Sequence, residues 1–62
     1  MWKITYRDPI ENSMCYRTIT IISRTIYFDV ACGQQCIVCD LDETTRVKVF
    51  KYALLSMEKI DL

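Results

Sequence analysis

The feature that most constrains the fold is a series of short segments in which apolar and polar residues alternate. The clearest is "WKITYRD", where Trp2, Ile4 and Tyr6 would face one side and polar residues the other. Alternation with a period of two is typical of a half-buried β-strand. β-Branched residues, which favour strands, are dense along the chain, whereas Gly and Pro occur once each. The sequence therefore predicts one all-β domain without an internal linker.

Further segments have the composition of strands and are separated by turn residues. "DPIENS" predicts a turn after the first strand, because Pro fixes φ and Asp, Asn and Ser favour turns. A second strand is predicted at about residues 14–23, and a third in "TIYFDVAC". The third strand leads through a hairpin into a fourth, "QCIVCDL", and an acidic turn separates this from a fifth, "RVKVFKY".

The hairpin between the third and fourth strands has a predicted register. Gly33 satisfies the first central position of a two-residue type II′ turn formed by Gly33 and Gln34. That turn pairs Cys32 with Gln35 and brings apolar residues opposite one another along both strands. The further pairs are Val30 with Ile37, Phe28 with Cys39 and Ile26 with Leu41. In this register Cys39 points inward and Cys36 points to the other face.

The C-terminal segment is compatible with two structures. One is a helix over residues 44–59, whose apolar stripe would consist of Val47, Phe50, Leu54 and Met57. The other is a strand to Tyr52, one helical turn at "ALLSM" and a short last strand, "EKIDL". The alternation in "VKVFKY" favours the second. We therefore predict a five- or six-stranded barrel of the SH3/Sm type, with a short helical turn near the C-terminus.

The size of the chain predicts self-association. At 62 residues the domain is near the lower limit for independent folding, yet 52% of its residues are hydrophobic. The interior of such a small domain cannot bury all of these side chains. We therefore expect a homo-oligomer or a surface that docks on a protein partner. The formal net charge is zero, which is unfavourable for nonspecific binding to duplex DNA.

Composition also excludes several functional classes. The N-terminal segment lacks the apolar core of a secretory signal, and no apolar run is long enough to cross a membrane. We therefore predict a cytoplasmic protein with reduced thiols. The chain has no histidine, no nucleophile elbow and no phosphate-binding glycine loop, so the sequence predicts neither an enzyme nor a cofactor.

Three of the four cysteines stand in "ACGQQCIVCD" with Cys-x3-Cys-x2-Cys spacing. That spacing occurs in radical-SAM enzymes, whose large α/β barrel exceeds this chain. A zinc site would need Cys15 as its fourth ligand, while Cys36 and Cys39 would lie on opposite faces of one strand. A Cys32–Cys36 disulfide would need an oxidising compartment. We therefore predict no metal site and expect apolar thiols, with a small zinc-binding adaptor as a third functional alternative.

Aromatic and basic residues are interleaved along the predicted strands. Each of the four tyrosines is close in sequence to an arginine or a lysine. These tyrosines are Tyr6, Tyr16, Tyr27 and Tyr52. Aromatic faces beside cationic side chains hold nucleotides and single-stranded nucleic acids, by stacking and by phosphate contact. We select Tyr27 for stacking on a base, and Arg17, Arg24 and Lys48 for contact with phosphate. A structural role for the tyrosines, at sheet rims and subunit contacts, remains the alternative.

The order of segments resembles that of the WYL domain, an Sm-like small β-barrel of bacterial and phage-defence regulators. The segments that carry the resemblance are "ITYRD", "RTITI", "IYFDVAC" and "VKVFKYALLSMEKI". The Trp-Tyr-Leu triplet of the family falls on Ile26-Tyr27-Phe28, where only the tyrosine is kept. The cysteine that often closes that strand matches Cys32. The resemblance implies a small barrel that senses a nucleotide or nucleic-acid ligand.

The resemblance is incomplete at the family's ligand pocket. The Arg-x-Phe-x-x-Asp-Arg-Ile segment of the family falls on residues 48–55, with Phe50 retained and Lys48 in place of the arginine. Ala53 and Leu54 stand where Asp-Arg is usual. The helix-turn-helix that usually accompanies the domain is absent from this sequence. By analogy, a barrel of this kind would suit an accessory or phage protein that acts against host defence.

The sequence thus predicts a non-catalytic, oligomeric small β-barrel that binds or sequesters an anionic ligand at a subunit interface, with a nucleotide as the favoured candidate. The alternative is an inhibitor or adaptor that docks on a host protein. Such a protein would use an exposed apolar strand, or the acidic turn at residues 40–43 against a basic partner.

Overall fold

The computed structural model describes residues 1–61. They form six strands and one 3₁₀ turn, and no α-helix occurs among them: β1 (Trp2–Pro9), β2 (Tyr16–Ser23), β3 (Thr25–Ala31), β4 (Gln34–Asp40), β5 (Arg46–Phe50), the 3₁₀ turn (Lys51–Ala53) and β6 (Leu54–Lys59). The prediction of a small all-β domain with five or six strands is confirmed.

The strands form two antiparallel sheets of three strands each, which do not close into a barrel. The first sheet has the order β2-β1-β6 and the second has the order β3-β4-β5. The chain passes between them at Arg24, which separates β2 from β3, and again at the 3₁₀ turn, which separates β5 from β6. The first sheet is therefore assembled from both ends of the chain, and the second from the continuous segment between them.

The bend at Arg24 is held by hydrogen bonds to the end of β4. The Arg24 backbone N–H donates to the Asp40 carbonyl oxygen at 2.8 Å. The fully buried Ser23 hydroxyl lies 2.6 Å from the Thr25 carbonyl oxygen and 3.2 Å from that of Asp40, and can donate to either. A buried hydroxyl needs such partners, because an unsatisfied one costs about 1–3 kcal/mol.

The core lies between the sheets and is centred on β4. Its buried residues are Ile4, Ile37, Cys39 and Val49. Half-buried apolar residues from both sheets pack around them: Trp2, Tyr6, Ile21, Ile26, Leu41, Val47 and Leu54. Four successive residues of β4, Cys36 to Cys39, are buried, so this central strand is covered on both faces.

The predicted register of the β3–β4 hairpin is wrong. The turn residues are Cys32 and Gly33, with φ angles of 52° and 74°, and Ala31 is paired with Gln34. Positive φ at both central residues indicates a type I′ turn. The twist of this turn matches the twist of the flanking strands, whereas turns of types I and II would splay the strands apart. This turn is not evident from the sequence, because cysteine rarely adopts a positive φ.

The shift moves every predicted cross-strand pair. Phe28 lies opposite Ile37, and Ile26 lies opposite Cys39. Cys39 still points into the core, as predicted. Cys36 belongs to the other face, as predicted, but it is also buried.

The C-terminal segment is extended, so the helix over residues 44–59 is wrong. The second alternative is closer, although the helical turn occupies Lys51–Ala53 rather than "ALLSM", and the last strand begins at Leu54. Leu62, the end of the predicted strand "EKIDL", lies outside the described residues. β6 is extended because it pairs with β1, from Trp2 opposite Lys59 to Tyr6 opposite Leu54. The open edge of β1 outweighs the helical periodicity of the apolar residues.

Candidate ligand-binding cleft

An open cleft lies between the two sheets where the ends of β1 and β5 meet the start of β2 and the 3₁₀ turn. It has a volume of about 510 Å³. We call it the aromatic cleft and define it by its aromatic and basic lining residues, Tyr6, Arg7, Tyr16, Lys48, Phe50 and Tyr52. Three of the four tyrosines identified in the sequence are among them.

The local structure explains why these aromatic side chains meet. Tyr16 begins β2 and is paired with Pro9 at the end of β1. Phe50 ends β5, and the 3₁₀ turn that follows brings Tyr52 back beside it. The rings of Phe50 and Tyr52 are stacked, with centroids 5.6 Å apart and planes 13° from parallel. Stacked rings form a flat apolar platform on which another ring can lie.

Two of the tyrosines are available to a ligand. Tyr52 is 74% exposed and Tyr16 is 64% exposed, while Tyr6 is half-buried and packs against the core. Burial, followed by the charge of Asp8, raises the pKa of the Tyr6 phenol above its usual value. The Tyr6 hydroxyl therefore stays protonated at neutral pH and can act as a hydrogen-bond donor.

The charge of the aromatic cleft is positive. Arg7 and Lys48 line it and form no ion pair among residues 1–61. Asp8, its one acidic residue, is held by Arg17 on the neighbouring strand, with an Nη2–Oδ2 distance of 2.8 Å. That pair neutralises the carboxylate, so the charges of Arg7 and Lys48 remain available to an anion.

The structure separates the four residues that the sequence analysis selected. Tyr27 and Lys48 lie on either side of Val38, in one row across the second sheet. Lys48 also lines the aromatic cleft, whereas Tyr27 does not. Arg17 belongs to the first sheet and is engaged by Asp8. Arg24 lies at the bend between β2 and β3. The four residues therefore do not form one site, and Lys48 alone reaches the aromatic cleft.

Arg24 lines a different cleft, which is polar and is formed with the β4–β5 turn. In this cleft Arg46 is paired with Asp40, at 2.8 Å from Nε to Oδ1. This hydrogen bond and the charge of Asp40 raise the pKa of Arg46 above its usual value. With Asp42 and Glu43 also lining the cleft, three acids outnumber two bases. The arrangement is unsuited to a phosphate group.

The cysteines do not converge. Cys36 and Cys39 are buried, Cys15 and Cys32 are exposed, and all four are free thiols. Across residues 1–61 there is no group of three or more His, Cys, Asp or Glu side chains placed to hold a metal ion. The zinc-adaptor alternative therefore gains no support from the geometry.

The sequence indicates the residue types that line the aromatic cleft but not how they group in space. Every tyrosine lies near a base in the sequence, so proximity alone could not select among them. The missing information was spatial: the Pro9–Tyr16 pair and the 3₁₀ turn at Lys51–Ala53 bring distant segments together. The one local signal was the close spacing of Phe50 and Tyr52 beside Lys51.

Two observations concern the molecule as a whole. Comparisons with protein-family models, with curated proteins and with solved structures found no match. In the described part of the chain, no helix combines the length and the hydropathy needed to cross a membrane. The geometry of the aromatic cleft is therefore the basis for assigning a function.

Proposed function

We propose that this protein is a non-catalytic binding protein that holds a nucleotide in the aromatic cleft. The observation that carries the proposal is that two exposed tyrosines and two basic side chains without an ion pair line the same cleft. Stacking of a base on an aromatic side chain contributes about 1–3 kcal/mol and tolerates any base. The cationic groups of Arg7 and Lys48 would bind the phosphate.

The arrangement suggests how the ligand would lie. The outer ring of the Phe50–Tyr52 stack is Tyr52, which is exposed and offers its free face to a base. Lys48 is two residues before Phe50 on β5, so its side chain would meet a phosphate attached to that base. Tyr16 lines the same cleft from the β2 side and offers a second ring.

We also propose that the two sheets are an open version of the SH3/Sm barrel. The support is the order of elements: β2 and β3 follow one another with a single bend, a 3₁₀ turn precedes the last strand, and that strand returns beside β1. The resemblance to the WYL domain belongs with this proposal, since its triplet position falls on β3, at Ile26-Tyr27-Phe28. Fold alone does not specify the ligand, so the functional proposal depends on the cleft.

Calorimetric titration with a panel of linear and cyclic nucleotides tests the function. Replacing Tyr52 by alanine removes the outer ring of the stack and should weaken binding by about tenfold or more. Tyr27→Ala is the matched control, because Tyr27 is also an exposed tyrosine but lies on β3, outside the cleft. Lys48→Gln should weaken the binding of nucleotides but not of the corresponding nucleosides, which lack the phosphate.

The results distinguish the two possible placements of the ligand. If Tyr27→Ala weakened binding and Tyr52→Ala did not, the ligand would lie on the row of Tyr27 and Lys48 instead of in the cleft. If no nucleotide bound at high micromolar concentration, the proposed function would be wrong.

A second candidate function, docking on a protein, is favoured by exposed apolar side chains. Met14, in the β1–β2 loop, is 98% exposed, and Ile10 in the same loop is also exposed. The acidic turn is a weaker candidate, because Asp40 is paired with Arg46 and Asp42 accepts hydrogen bonds from the Thr44 and Thr45 backbone. Pull-down from a lysate with wild-type protein and with Met14→Ser tests this function: a stoichiometric protein lost in the variant would support it.

A further inference from the structure

The most exposed apolar segment within a strand is β3, at the edge of the second sheet. Phe28 is 75% exposed and Val30 is 63% exposed, although both are on the face that carries the core. With Ile37, Leu54 and Met57 they line an open groove of about 480 Å³, which we call the apolar groove. Contiguous exposed apolar surface, unlike scattered apolar side chains, marks sites of interaction.

The backbone of β3 can also accept another strand. In a two-residue hairpin the residues that flank the turn, here Ala31 and Gln34, exchange both backbone hydrogen bonds, and alternate residues of the strand then face away from the partner. The N–H and C=O groups of Ile26, Phe28 and Val30 therefore face the open edge. In agreement, the Val30 N–H donates to the Asp29 carboxylate at 2.8 Å instead of to β4.

Two of the other three edges are protected by charges in a way that β3 is not. Charged side chains on edge strands oppose edge-to-edge pairing. β5 is short and carries two basic residues, and β6 ends in Glu58 and Lys59. β2 carries a single charge, Arg17, but its most exposed aliphatic residue, Ile22, is only 42% exposed. β3 carries one charge, Asp29, among apolar and aromatic residues.

We infer that β3 pairs with β3 of a second copy, antiparallel and about a two-fold axis at Phe28. The sequence of β3 is self-complementary in this arrangement. Phe28 meets Phe28, and Ile26 meets Val30 of the second copy, on the face of the apolar groove. On the other face Tyr27 lies opposite Asp29 of the second copy, where a phenol hydroxyl can donate to a carboxylate.

Hydrogen bonding and charge select this register. A shift by one residue would place residues that face the open edge opposite residues that face β4, so the ladder could not form. Moving the axis to Asp29 would bring the two Asp29 carboxylates directly opposite each other, which is destabilising. Moving it to Tyr27 would place Val30 opposite Arg24, at the bend that precedes β3.

The pairing consumes the open edge of β3 in both copies, so it closes at a dimer. Because an aromatic side chain can bury about 150–250 Å², two Phe28 side chains would together cover roughly 300 Å². The seven-residue contact as a whole is small compared with the roughly 1,200–2,000 Å² of surface that a stable interface buries. The dimer should therefore be weak and should depend on concentration.

Sedimentation velocity across the micromolar to millimolar range tests the dimer. The wild-type chain should change from monomer to dimer within this range. Phe28→Lys places two ammonium groups at the axis and should remain monomeric, and because Phe28 is exposed the variant should still fold, as checked by amide dispersion in its NMR spectrum. Leu55→Lys, an exposed apolar position on β6, is the matched control and should still dimerise.

Hydrogen exchange identifies the strand involved. The Phe28 amide, which faces the open edge, should exchange rapidly in dilute solution and slowly in concentrated solution. A wild-type chain that stayed monomeric at millimolar concentration would overturn the proposal, and so would a dimer that survived Phe28→Lys or left the Phe28 amide unprotected. The inference does not depend on nucleotide binding, because the aromatic cleft contains no residue of β3.

Discussion

β3 and β4 are neighbouring strands of equal length and similar hydrophobicity, yet their side chains have opposite surroundings. β4 is central and buries four successive residues, while β3 leaves most of its side chains exposed. The difference arises from position, because β4 has a strand on each side and β3 has one neighbour and a partly covered face. Hydrophobicity alone therefore does not identify the residues that stabilise this fold. The apolar residues of β3 are available for recognition instead.

The largest expected effect tests this contrast at one cross-strand pair. Ile37 and Phe28 lie opposite each other, but Ile37 is 3% exposed and Phe28 is 75% exposed. Ile37→Ala should lower the free energy of unfolding by about 2–5 kcal/mol, because it removes buried methyl groups and leaves a cavity. Phe28→Ala should change it by less than about 0.5 kcal/mol, since surface substitutions have small effects.

Urea titration followed by the fluorescence of Trp2 measures both variants, at protein concentrations low enough to avoid association. Trp2 packs against the core, so its emission should report on unfolding. If both substitutions cost the same, Phe28 would be covered in the monomer, and the contrast between β3 and β4 would be lost.

Much of the fold follows from the sequence because strand periodicity is local information. "WKITYRD" alternates, and β1 extends over Trp2–Pro9. The register of the β3–β4 hairpin was not predictable in the same way, because it depends on Cys32 adopting a positive φ that cysteine rarely adopts. The C-terminal strand was ambiguous for a different reason: its extended conformation comes from pairing with β1, at the other end of the chain.

The candidate site was less predictable than the fold. The sequence indicates Lys48, which lines the aromatic cleft, but the same argument indicates Tyr27, which lies outside it. Stacking and phosphate binding need groups that meet in space, and here they meet across two sheets. Which arginine is neutralised is also spatial information, since Arg17 is paired with Asp8 across the β1–β2 ladder.

The next effect concerns Cys39, one of the two buried thiols of β4. Burial, followed by the charge of Asp40, raises the pKa of Cys39 above its usual value. A raised pKa means that the folded state favours the neutral thiol, so this stabilisation is fully present below the pKa of an unfolded cysteine, about 8.5. It is lost progressively as pH rises from there through the folded-state pKa. Urea midpoints should therefore fall at alkaline pH.

Cys39→Ala is the control, because it removes the titrating group. Its midpoint should be lower than that of the wild type at neutral pH, owing to lost packing, but should fall less steeply over the alkaline range. Equal slopes in the two proteins would attribute the alkaline loss to other groups, of which the half-buried phenol of Tyr6 is the first candidate, since its pKa is also raised by burial.

The smallest expected effect tests the turn that sets β3 against β4. Cys32 has a φ of 52°, which is unfavourable for cysteine and well tolerated by asparagine, and Asn-Gly is the preferred pair in type I′ turns. Cys32→Asn should therefore stabilise the fold by about 0.5–1 kcal/mol, measured as a raised urea midpoint. In the alternative turn at Gly33 and Gln34, Cys32 would be a strand residue, and asparagine would destabilise it.

Gln34→Asn is the matched control with the opposite expectation, because Gln34 begins β4 and asparagine is unfavourable in strands. Opposite signs for the two variants would establish which residues form the turn, and with them which side chains of β3 lie opposite the buried row of β4.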